Sequence, residues 1–204
     1  MKITGLKPQR RSKKRVSVFV DGEFAFSLDR QTVKQFRLKE GARVDARLLE
    51  DVVLAEQLRK CREYALLLLS YRARSEKELR ERLEKKGWTP AVIEAVIKKF
   101  KETGLVDDEK LAQRYVQDRI TIGHKGKWRI QQELTKIGIA KELINRALGA
   151  APDETAAAQM VLEHFLPRYR KLDQKTKKRR LAGILARRGF ALETINRLLE
   201  ELPL

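Results

Sequence analysis

Three kinds of residue in this 204-residue chain have types and spacings that could do chemistry. The first is an acidic cluster, Asp107-Asp108-Glu109. With further carboxylates or imidazoles close by in space it could hold a hard cation. The sequence places no such companions, and at a helix start the same residues serve as an N-cap and as a complement to the helix dipole. The second is the pair of thiol and imidazole types. His124 lies in a Gly-flanked basic turn, Gly123-His124-Lys125-Gly126, without a Ser, Cys or Asp to work with as a general base, so it is expected as a polar contact residue. The one cysteine, Cys61, stands at helical spacing from Tyr64 and Ala65 and reads as a small core residue. A single cysteine makes no disulfide framework, and with only His124 and His164 beside it a zinc-type site is not expected. No G-x4-G-K-[ST] phosphate loop occurs. These residues predict a protein that is not an enzyme and carries no metal or cofactor.

The third kind, basic residues, carries the stronger signal. Arg168, Arg170, Lys171, Lys175, Lys177, Lys178, Arg179 and Arg180 fall within thirteen residues that include one acid, Asp173. Further upstream, His124, Lys125, Lys127 and Arg129 surround Trp128, and Tyr71, Arg72 and Arg74 precede Ser75. Cations with an aromatic among them suit phosphate or an acidic surface. Core packing is an equally good reading of Trp128, and a solvated helix start is the plain reading of Lys175–Arg180. A cationic first turn opposes the helix dipole, however, which favours a use beyond solvation. The net charge is +18, with 15 basic and 8 acidic residues in 1–60, 20 and 13 in 61–152, and 11 and 7 in 153–204. The excess is spread along the chain, which points to a polyanionic partner or to a protein assembly that carries one.

The elements that must position these cations repeat. Leu79, Leu83, Gly87, Trp88, Ile93 and Ile97 return 51 residues later as Ile130, Leu134, Gly138, Ile139, Ile144 and Leu148, and again as Leu181, Leu185, Gly189, Phe190, Ile195 and Leu199. Each copy reads as a helix, a glycine that ends it in the left-handed conformation, a large apolar residue folding back, and a second helix. Ser75 with Glu78 makes a capping box, and Thr89-Pro90 an N-cap and N1 pair. Two short helices cannot bury both faces, so each copy recruits a third, just upstream.

Before the repeats, Arg15–Val20 and Glu23–Leu28 alternate about Asp21-Gly22, the signature of a two-residue hairpin turn, with Phe24, Phe26 and Leu28 on one face and Met1–Leu6 available as a third strand. The run Lys7–Arg15, with six basic residues in nine, is expected as a loop, either solvated or gripping phosphate. A short helix over Asp29–Leu38 follows. Asp45 caps a long helical stretch whose acids Glu50, Asp51 and Glu56 are expected to load its start. Met160 is expected among the apolar residues of the helix ahead of Pro167, which should end or kink it. The chain thus divides into a β-hairpin module with a short helix (1–44), a connecting helix (45–60) and three-helix repeats at 61–105, 106–151 and 152–204. The fold class is mainly α, with tandem repeats in an elongated curved array. The apolar run Ala65–Leu69 is too short to span a membrane, and a cytoplasmic protein is expected.

Several of these segments resemble the RecX family, the regulatory proteins of the RecA recombinase. The likeness lies in Ala65–Leu79 with Arg82-Leu83 and Lys86-Gly87, in Gly104–Asp108, in Ala112, Tyr115-Val116 and Arg119, and in Gly126, Arg129-Ile130, Glu133-Leu134 and Gly138-Ile139, with the Asp21-Gly22 hairpin similar to the N-terminal part of longer members. The resemblance implies a regulator without a catalytic centre, a monomer lying in the groove of the RecA–DNA filament. It implies inhibition of strand exchange and of ATP hydrolysis in recombination, DNA repair and the SOS response. The partners it implies are the RecA filament and single- or double-stranded DNA, with no membrane. The competing expectation is a basic nucleic-acid-binding protein acting alone. Candidate RecA or DNA contacts are Arg72, Arg74, Arg119, Lys125, Lys127, Arg129, Lys175, Lys177, Lys178, Arg179, Arg180, Arg187 and Arg188.

Overall fold

A computed structural model describes residues 1–10 and 12–202. Contacts divide the chain into two compact units, residues 1–72 with 80–102, and residues 73–79 with 103–204.

In the first unit, β1 (Ile3–Gln9), β2 (Ser12–Val20) and β3 (Glu23–Asp29) form an antiparallel sheet in that order. Asp21 and Gly22 both have positive φ, as the two-residue turn requires. The basic run expected as a loop is instead largely paired strand, because β1 continues to Gln9 and β2 starts at Ser12. Arg11 of that run, and the Lys13 side chain, lie outside the described residues. A second expectation fails at Phe24. Val18 pairs with Phe26 but Phe19 pairs with Phe24, so Ala25 is an extra residue, and this bulge turns Phe24 to the solvent face, 58% exposed. Phe26 and Leu28 keep the inner face, and Ile3, Val18, Leu28, Leu38, Val44 and Val52 make the core.

The short helix α1 (Arg30–Gln35) starts on the Asp29 carboxylate. Asp45 caps α2 (Ala46–Tyr71) by accepting from the Leu48 N–H at 2.8 Å, and α2 runs 26 residues without interruption. Its first turn holds no acid, and Glu56 does not load the helix start as expected. It is buried, accepting from the Thr32 hydroxyl at 2.8 Å, the Asp29 N–H at 3.1 Å and the Arg59 guanidinium at 2.8 Å. Burial raises its pKa, but these donors, Arg59 first, outweigh burial and bring it down to about 2. Then come α3 (Glu76–Lys85) and α4 (Pro90–Glu102), which buries Val92, Ile93, Val96, Ile97 and Phe100.

In the second unit, α5 (Asp108–Thr121), α6 (Lys127–Lys136) and α7 (Lys141–Gly149) form one three-helix domain, and α8 (Thr155–Phe165), α9 (Gln174–Arg188) and α10 (Leu192–Glu200) another. Pro167 ends α8 in a 3-10 turn. The 51-residue register is real: Gly87, Gly138 and Gly189 have φ of 93, 84 and 85, and Leu79, Leu83, Ile130, Leu134, Leu181 and Leu185 are at most 1% exposed. Ile130, Leu134, Ile144, Leu181, Leu185 and Ile195 share one core. Met160 departs from its expected place and is 52% exposed.

The middle helices stack head to tail. The end of α6 meets the first turn of α3, where the Ser75 hydroxyl donates to the Ile137 carbonyl and a Cβ on Gly138 would lie 2.2 Å from the Lys77 side chain. The end of α9 meets the start of α6 in the same way, where a Cβ on Gly189 would lie 2.4 Å from the Arg129 backbone nitrogen. Each negative helix end thus faces a positive one. The acidic cluster acts as caps at this level: Asp107 accepts from the Lys110 N–H and Asp108 from the Glu76 N–H, each at 2.9 Å.

Candidate nucleic-acid interface

The junction of α6 with α9 gathers the basic candidates most tightly. The Gly126 N–H donates to the Arg188 carbonyl at 3.0 Å and the Trp128 N–H to the Gly189 carbonyl at 3.2 Å. The buried Glu154 bridges two helix starts, accepting from the Lys127 N–H at 2.7 Å and the Ala191 N–H at 2.9 Å. Arg188 reaches back, its Nη1 donating to the Gly123 and His124 carbonyls at 3.4 and 3.3 Å. The pinned backbones leave a groove of about 480 Å³ lined by Lys125, Arg129, Arg187 and Arg188.

Glu133 organises one wall of this region. It lies 2.7 Å from Lys125 Nζ, 3.2 Å from Arg129 Nε and 3.6 Å from Arg119 Nε, and it accepts from the Tyr115 hydroxyl at 3.0 Å. Burial opposes its charge, yet the Lys125 hydrogen bond and the others hold its pKa below the ordinary carboxylate value. The Arg119 guanidinium also sits over the Tyr115 ring, 4.7 Å from its centroid. One carboxylate thus fixes three cations without neutralising them all.

The remaining candidates lie elsewhere. Lys175, Lys177, Lys178, Arg179 and Arg180 occupy the first two turns of α9, capped by the Asp173 carboxylate. Arg180 and Arg187 are seven residues apart and share a helix face, so this cluster continues toward the groove. Arg180 also sits over the Tyr169 ring, 5.7 Å from its centroid. Arg72 is the exposed C-cap of α2. Arg74 is largely buried, at 9% exposed. Trp128 settles against core packing, being 57% exposed near the start of α6. Two residues of the site were not singled out as functional. Glu133 was legible as the i+4 partner of Arg129, whereas the partners of Glu154 are 27 and 37 residues away and no local pattern announces them.

The chain is similar to known proteins over nearly its whole length. Four family models match it in order: the regulatory protein RecX N-terminal domain over residues 1–45, and the first, second and third three-helix domains of RecX over 61–100, 107–148 and 152–199. The regulatory protein RecX of Geobacillus sp. (strain WCH70) is 32% identical, over 97% of this chain and 75% of its own length. That of Bacillus subtilis (strain 168) is 31% identical, over 98% and 76%. A crystal structure of regulatory protein RecX superposes with a TM-score of 0.74 at 27% identity, covering 98% of this chain and 99% of the other. The crystal structure of RecX from Lactobacillus salivarius superposes with a TM-score of 0.67 at 26% identity, covering 72% and 97%.

Proposed function

This chain belongs to the RecX family of regulatory proteins, and on that premise we propose that it binds the filament of the RecA recombinase together with its DNA and inhibits strand exchange and ATP hydrolysis. The observation that carries the proposal is the α6–α9 groove, lined by Lys125, Arg129, Arg187 and Arg188 and continued by the start of α9. Four like charges along one concavity repel one another, and an anion track relieves that repulsion. A phosphate backbone at the surface of a protein filament is such a track. On this reading the chain is a regulator without chemistry of its own, acting as a monomer in the cytoplasm in recombination, DNA repair and the SOS response. No described helix is long and apolar enough to cross a membrane.

The test is RecA's DNA-dependent ATP hydrolysis at rising ratios of this protein to RecA. Hydrolysis should slow near equal ratios, and filaments should shorten. The variant with Lys177, Lys178, Arg179 and Arg180 all changed to Gln should bind the filament about tenfold less tightly, with a salt slope lower by roughly 0.7–0.9 for each phosphate it no longer engages. Unchanged hydrolysis and filament length with this protein in excess at low salt would overturn the proposal.

A further inference from the structure

We propose that the cavity between α1, α2 and α4 binds a small amphipathic anion, a compact apolar body carrying one carboxylate. The cavity belongs to the first unit and shares no lining residue with the basic groove, so the inference stands apart from the filament reading.

The cavity holds about 350 Å³. Ala55, Leu58, Arg59 and Arg62 line it from α2, and their spacing makes one continuous helix face. Ala95, Val96, Lys99 and Phe100 line it from α4. Both long helices contribute an alanine, and side chains this short leave the space between them unfilled. Val96 and Phe100 are buried and, with Leu58, give the cavity its apolar surface. Its charge has one sign, for three of its lining residues are cations and none is a carboxylate. Arg59 is already occupied by Glu56 at 2.8 Å and Glu63 at 2.6 Å. The Thr32 hydroxyl, bonded to the same Glu56 at 2.8 Å, helps to fix that wall. Lys99 pairs with Glu102 at 3.2 Å, an exposed pair that contributes little. Arg62, one turn beyond Arg59 and exposed, has no ion pair among the described residues. It therefore offers an open guanidinium at the mouth of a partly apolar cavity. A guanidinium holds a carboxylate through two parallel hydrogen bonds. An apolar body behind that carboxylate gains by leaving water for Leu58, Val96 and Phe100. Gln31 and Gln35 of α1 add amide donors at the same cavity. A largely apolar lining with a few polar groups that fix orientation is the make-up of a small-molecule site. A cationic ligand is repelled here, and a neutral one leaves Arg62 unmatched. The bound anion touches three helices at once and so stabilises the folded state.

The full chain is titrated with anilinonaphthalene sulfonate, an aryl anion that fluoresces in apolar surroundings. The bound probe is then displaced by octanoate, octanol or acetate, below micelle-forming concentrations, and the octanoate-displaceable part of the signal is the readout. Octanoate carries both features, octanol only the apolar body and acetate only the charge. Octanoate should displace the probe at concentrations about tenfold or more below those needed of either control, and it should raise the melting temperature as its concentration rises. Arg62→Gln should weaken octanoate about tenfold and leave octanol unchanged. Ala95→Phe should fill the cavity and remove the octanoate-displaceable signal. Residue 95 is exposed, so the melting temperature of that variant without ligand should stay near wild type. Ala95→Leu, a smaller insertion, should act in the same direction. Absence of an octanoate-displaceable signal in the wild type overturns the proposal. Displacement by octanol or acetate as readily as by octanoate also overturns it, because the cavity then selects only apolarity or only charge. Wild-type octanoate affinity in Arg62→Gln removes the anion contact and overturns it too. A wild-type signal in folded Ala95→Phe and Ala95→Leu puts the probe at another place and overturns the site.

Discussion

Replacing Gly126 by alanine should pry apart the junction on which the basic groove depends. Gly126 has ordinary negative φ, −75°, so alanine meets no backbone strain there. The obstacle is space, because an added Cβ would lie 2.1 Å from the Gly189 carbonyl carbon and oxygen and 2.2 Å from the Phe190 nitrogen. Carbon atoms pack at about 3.5–4.0 Å, so the two turns must separate by over an ångström, and both sides are backbone. That movement stretches the Gly126–Arg188 and Trp128–Gly189 hydrogen bonds, now 3.0 and 3.2 Å, beyond useful length and strains the Glu154 bridge. Each buried group left without a partner costs about 1–3 kcal/mol, so a loss of about 3 kcal/mol is expected. For a domain pair of this size that lowers the melting temperature by about 6–12 °C. Gly149→Ala is the matched control, since an added Cβ there meets nothing within 4 Å, and it should be neutral or slightly stabilising. Denaturant titrations followed by circular dichroism compare the two. If Gly126→Ala unfolds at the same denaturant concentration as Gly149→Ala, the close approach of α6 and α9 is not a determinant of stability and the reasoning fails.

Two further outcomes follow from buried polar groups. The folded pKa of Glu56, about 2, lies below its ordinary 4.5, so the ionised carboxylate contributes stability above pH 4.5 that is lost as the pH falls toward 2. The size is on the order of 3 kcal/mol, and acid titration of the N-terminal sheet signal should show it in wild type and not in Glu56→Gln. Ser75, fully buried, both caps α3 by accepting from the Glu78 N–H at 3.1 Å and donates to the Ile137 carbonyl. Ser75→Ala should therefore cost about 2–3 kcal/mol in equilibrium unfolding, against about 1 kcal/mol for Asp173→Ala, an exposed cap with one such bond to Thr176. Equal costs for the two would remove the case for a link from Ser75 to α6.

What the sequence determined by itself is local and periodic. The glycine that ends each middle helix, the Ser75 box, the Asp45 and Asp107 caps and the Asp21-Gly22 hairpin depend on residues a few positions apart, and the 51-residue register repeats such a local pattern, so residue type and spacing suffice to specify them. The resemblance to RecX rode on those same residues. Tertiary structure decided the rest. Ala25 is an extra residue only because of what β2 pairs with, and that choice sent Phe24 to solvent. Glu56 looked like dipole complement until α1 closed over it, and Arg74 looked like surface until the fold buried it. Trp128 could face core or solvent from its spacing alone, and the fold left it exposed beside the docking of Gly126 against Gly189. That docking also brought Lys125 and Arg129 to Arg187 and Arg188 across some sixty residues of chain. Approaches of that kind depend on how whole helices pack, a balance of buried area and polar pairing summed over many residues, which no local pattern encodes.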